Sequence, residues 1–105
     1  MTTKHTEAFG SFVRQRAMLR IKERWDYITP YLPLLEQDHA WTDAEAGGFI
    51  LAVKCWSRVT RSEVKALQDL GVWDAAKARE WQTKVAEFTE LARVLAAEYH
   101  LPFKA

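Results

Sequence analysis

Two long stretches with helical periodicity, residues 42–70 and 75–99, are separated only by Gly71, Val72, Trp73 and Asp74. A joint that short makes consecutive helices run antiparallel. In the second stretch Ala78, Trp81, Val85, Phe88, Ala92, Leu95 and Tyr99 alternate at spacings of three and four, a heptad seam. Leu91 and Val94 widen that apolar arc beyond what one antiparallel neighbour covers. The chain is therefore expected to be all-α. A basic N-terminal helix and a short helix lead into a long antiparallel helical hairpin that oligomerises.

The ends of these elements carry their own signals. Thr42-Asp43-Ala44-Glu45 has the form of a capping box, with Trp41 just before the cap. Gly71 suits a helix C-terminus and Asp74 suits the N-cap of the last helix. Pro102 ends that helix. Gly47-Gly48 near the start of the long helix implies close approach of another backbone. Ser57 to Ser62 is a weaker helical stretch, and its sequence permits either one helix or a kink there.

Upstream, residues 8–28 predict a helix whose apolar stripe is Val13, Ala17, Ile21, Trp25 and Ile28. Residues 1–7 read as a polar arm. Pro30 is placed at the first position of a short helix, and residues 37–40 form the connection to Thr42. With 105 residues the chain makes one folding unit. Within it, 1–40 is a basic segment for DNA contact and 41–105 the oligomerisation core.

Net charge is +1, but it is unevenly spread. Residues 1–25 hold six Lys or Arg against two Glu, a net of +4, whereas residues 26–53 hold five acidic side chains and no Lys or Arg, a net of −5. Such a basic head beside an acidic collar suggests polarity, one end for a polyanion and the other for a basic surface. Arg16, Arg20 and Arg24 fall at i, i+4 and i+8, with Arg14 and Lys22 beside them. A second basic set, Lys54, Arg58, Arg61 and Lys65, recurs along the long helix. Five tryptophans in so short a chain favour burial between subunits.

Catalytic and metal-binding patterns are absent from the sequence. His5, His39, His100 and Cys55 have no ligand spacing, and no Gly-rich phosphate loop occurs. No enzyme activity, cofactor, metal or small-molecule substrate is expected. The lone Cys55 and the lack of a signal pattern or an apolar run of membrane-spanning length indicate an unexported chain without a membrane role.

The order RWDYITPYLPLL, AWTDAEAGGFILAVKCWSRV and a last helix ending AAEYHLPF resembles the phage terminase small subunit, in its compact all-helical branch. The matching positions are Trp25, Pro30, Leu32, Thr42, Glu45, Trp56, Leu95, Leu101 and Pro102, within residues 20–103. The resemblance implies a non-catalytic subunit in the host cytoplasm. It would form a homo-oligomeric ring, bind double-stranded viral DNA and recruit the large terminase subunit during genome packaging. On that reading Arg14, Arg16, Arg20, Lys22 and Arg24 contact DNA, with Arg58, Arg61 and Lys65 secondary. Trp56, Trp81, Phe88 and Leu95 form the subunit interface. The alternative is a small helical homodimer that acts as an adaptor or inhibitor of a host protein, with no nucleic-acid role.

Overall fold

The structure, a computed structural model, describes residues 3–36 and 40–103. Every regular element among them is helical: α1 (Thr3–Trp25), a single 3-10 turn (Thr29–Tyr31), α2 (Leu32–Glu36), α3 (Asp43–Asp69) and α4 (Ala75–Glu98). Residues expected as an arm are thus helical from Thr3 onward, while residues 37–39 of the expected connection lie outside the described residues.

The capping chemistry fixes the starts of both long helices. The Thr42 hydroxyl accepts from the Glu45 backbone N–H at 3.1 Å, and the Thr42 N–H donates to the Glu45 carboxylate at 2.8 Å. Asp74 accepts from the Lys77 N–H at 2.8 Å. Between them α3 and α4 join through a Schellman turn. The Val72 N–H donates to the Leu67 carbonyl, the Gly71 N–H donates to the Gln68 carbonyl, and Gly71 sits at φ +72°. The C-terminus of α4 repeats this motif with Leu101 N–H on Ala96 and His100 N–H on Ala97, but His100 occupies the left-handed position at φ 56°.

α3 is one continuous helix through Ser57–Ser62. Ser57 and Thr60 are buried on its core face. At 1.5 Å per residue α3 is roughly 40 Å long.

α4 packs antiparallel along α3, and α1 lies along α3 as well. Near one end Ala17 of α1, Val64 and Leu67 of α3 and Ala78 of α4 pack with Trp73 of the tight turn. Near the other, Ile21 and Ile28 pack with Phe49, Val53 and Trp56 of α3 and Ala92 of α4. The expected 1–40 segment therefore shares its core with the hairpin. Tyr99 closes that end by accepting the Trp41 backbone N–H at 2.8 Å.

The tryptophans pack largely within the chain. Trp56 and Trp73 are buried, and Trp25, Trp41 and Trp81 are half-buried. Trp25 of α1 meets Trp56 of α3 at 5.4 Å and Phe88 of α4 at 5.2 Å, so three helices converge on one aromatic cluster.

Gly48 is needed for a side chain rather than for another backbone. A Cβ there would overlap the Tyr31 hydroxyl, whereas a Cβ on Gly47 would meet nothing within 4 Å.

Candidate nucleic-acid interface

On α1 the predicted cations divide by partner. Arg20 pairs with Glu63 of α3 at 3.2 Å, tying the two helices together. Lys22 pairs with Asp26 at 3.1 Å. Arg14, Arg16 and Arg24 are exposed and form no ion pair among the described residues. Arg14 stands beside the tight turn, near Leu70 and Gly71, and Arg24 lies toward the opposite end of α1, near Tyr27 and Tyr31. The unpaired guanidinium groups are thus spread along the length of the helix rather than gathered at one point.

The second basic set lies on a different flank of α3. Lys54, Arg58 and Arg61 line a cleft of about 290 Å³ with Ser57, Thr89 of α4 and Phe103 of the C-terminal segment. Lys65 does not join them. It is bound to Asp69 at 2.8 Å, and that hydrogen bond, helped by the carboxylate charge, raises its pKa above the ordinary 10.5. Of the sequence-predicted set Lys54, Arg58, Arg61 and Lys65, the structure brings together the first three, with Lys54 half-buried.

The four residues assigned to the subunit interface are placed in the chain's own packing. Trp56 is 2% exposed, and Trp81, Phe88 and Leu95 are half-buried against the core. The physical reason is α1: it covers the side of the hairpin that a hairpin-only view leaves open, and Trp25 caps Phe88 and Trp56. Trp56 in particular has almost no surface left to offer another subunit.

Apolar surface remains exposed elsewhere. Phe12 and Leu19 are each 62% exposed on the outer face of α1, with Phe9 and Tyr27 exposed along the same helix and its end. On α4, Leu91 and Val94 face outward beside Thr83 and Glu87. The widened α4 arc was legible as an uncovered surface. The outer α1 residues were missed because the buried stripe on the other face drew the reading, although Phe12, Arg16, Leu19 and Glu23 repeat at four and three.

An apolar groove of about 400 Å³ also runs between α1 and α4, walled by Met18, Trp25, Trp81 and Phe88. Lys84 lies over the Trp81 ring at 4.5 Å, so its stem covers part of that apolar wall. No group of three or more His, Cys, Asp or Glu side chains among the described residues could hold a metal ion. No helix is long and apolar enough to cross a membrane.

These features define an elongated all-helical protein with two separate unneutralised basic surfaces and exposed apolar helix faces. No family model, no curated protein and no solved structure matches the chain.

Proposed function

We propose that this chain is a non-catalytic, self-associating subunit that binds double-stranded DNA through phosphate contacts. That is the role implied by its resemblance to phage terminase small subunits. In that role a homo-oligomeric ring holds viral DNA and engages the large terminase subunit. The observation that carries the reading is the set of exposed arginines along α1, Arg14, Arg16 and Arg24, none of which forms an ion pair among the described residues. Self-association is supported by surface. The chain exposes 7259 Å² at 12.2 kDa, against roughly 6,100 Å² for a monomeric protein of that mass. The excess exceeds the ~800 Å² that one partner contributes to an ordinary interface.

The test is binding of a fluorescent duplex by anisotropy over a salt series. Arg14→Gln, Arg16→Gln and Arg24→Gln together spare the Arg20–Glu63 tie between helices. The triple variant should fold normally, bind at least tenfold more weakly at moderate salt, and show a salt slope shallower by about two to three units. Unchanged affinity and slope overturn the DNA assignment.

A second reading, a helical homodimer that binds a host protein, is favoured by one observation. Exposed Phe12, Arg16, Leu19, Glu23 and Tyr27 lie along α1 and its end. In an antiparallel pair of α1 helices centred between Leu19 and Arg20, Arg16 of each copy opposes Glu23 of the other, and Phe12 opposes Tyr27. A dimeric mass with no duplex binding selects this reading.

A further inference from the structure

We propose that the cleft between the middle of α3 and the C-terminal segment is a phosphate seat, and that it takes a nucleotide unit whose phosphate meets Lys54 and Arg58 while its base packs on Phe103. The choice of a nucleotide over another phosphate ester rests on the DNA-binding reading above; the phosphate seat does not.

Charge is the first argument. Lys54, Arg58 and Arg61 follow at i, i+4 and i+7 around one cleft. Like charges at this spacing repel along a helix. None of the three forms an ion pair among the described residues. Lys54 is half-buried, which adds desolvation to the repulsion. A bound anion relieves both.

Pre-organisation is the second. The Arg61 Nε donates to the Ser57 carbonyl at 3.3 Å, which orients the guanidinium and leaves its terminal N–H groups for a ligand. The floor supplies neutral donors as well. Ser57, 1% exposed, sets its hydroxyl 3.3 Å from that of Thr89 on α4. One of the two hydroxyls donates to the other, and the second hydroxyl hydrogen is left to donate elsewhere.

Shape is the third. The cleft, about 290 Å³, is larger than a bare phosphate needs, and its remaining wall is the half-buried ring of Phe103. A cationic floor with one aromatic wall is how nucleic-acid strands are held without sequence reading, the backbone on charge and a base on a ring.

The experiment follows backbone amide shifts of the 15N-labelled full chain during titration with inorganic phosphate and with the dinucleotide pTpT. Saturable shifts should cluster at Ser57, Thr89 and Phe103, with pTpT binding about tenfold tighter than phosphate. Lys54→Gln with Arg58→Gln should weaken both probes about tenfold while leaving the circular dichroism spectrum unchanged. Phe103→Ala should remove the advantage of pTpT and leave phosphate binding intact. If Lys54→Gln with Arg58→Gln binds both probes as the parent does, the seat is overturned. The seat is equally overturned if the shifts disappear in the triple α1 variant instead. If Phe103→Ala leaves the preference for pTpT unchanged, the nucleotide assignment falls. Should duplex DNA fail to bind while these shifts persist, the DNA reading falls and the seat stands.

Discussion

Gly47 and Gly48 are neighbours in the first turns of α3 with opposite requirements. Open space surrounds the Gly47 Cβ position, so Gly47→Ala should stabilise the fold by about 0.5–1 kcal/mol through helix propensity. Gly48 carries the Tyr31 ring, which stacks on Trp41 at 6.3 Å and meets Phe49 edge-on. Gly48→Ala should therefore destabilise, and Tyr31→Phe should recover part of the loss, a coupling that urea midpoints of the double-mutant cycle would read. His100 presents the same kind of question at the end of α4. Its left-handed backbone is adopted by Gly71 at the equivalent turn position, so His100→Gly should raise stability by about 1 kcal/mol. Trp56→Ala should cost about 3–5 kcal/mol and lower the unfolding midpoint, because the ring fills the three-helix cluster. Loss of assembly without loss of stability in that variant would contradict its placement in the core.

At the scale of the helices, local chemistry was legible and lateral packing was not. The caps at Thr42 and Asp74 and the turn at Gly71 each depend on a few adjacent residues, and the structure forms them as the sequence indicates. The stripe Val13, Ala17, Ile21, Trp25 and Ile28 was likewise readable from spacing: Ala17, Ile21 and Ile28 are buried, and Val13 and Trp25 half-buried. Periodicity says which face of a helix is apolar but not which neighbour covers it, so nothing in the sequence announces that Trp25 of α1 packs on Phe88 of the α4 seam. The cleft beneath Lys54 and Arg58 depends on Thr89 and Phe103, which are distant in sequence, and no local pattern announces it. Surface ion pairs tune these helices only weakly. The Arg93 guanidinium hydrogen bond holds the Glu90 carboxyl below its usual 4.5. Whatever that pair contributes is present above the ordinary value and lost as pH falls through the lowered one. Phe12→Glu with Leu19→Glu on the outer face of α1 should change stability by less than about 0.5 kcal/mol each, since both side chains are 62% exposed, yet should lower the native mass.

Taken whole, the molecule is a rod of 58 × 20 × 20 Å with a radius of gyration of 16.5 Å. A compact domain of this length has a radius near 13 Å. Three long helices bury two apolar clusters and leave the outer faces of α1 and α4 uncovered. On the function proposed above, the uncovered surface serves self-association and the unpaired cations serve a polyanion. Native mass by light scattering tests this most directly. The account predicts a discrete multiple of 12.2 kDa for the parent chain and a smaller mass for the Phe12→Glu, Leu19→Glu variant. A parent chain that stays at 12.2 kDa across the micromolar range would contradict it.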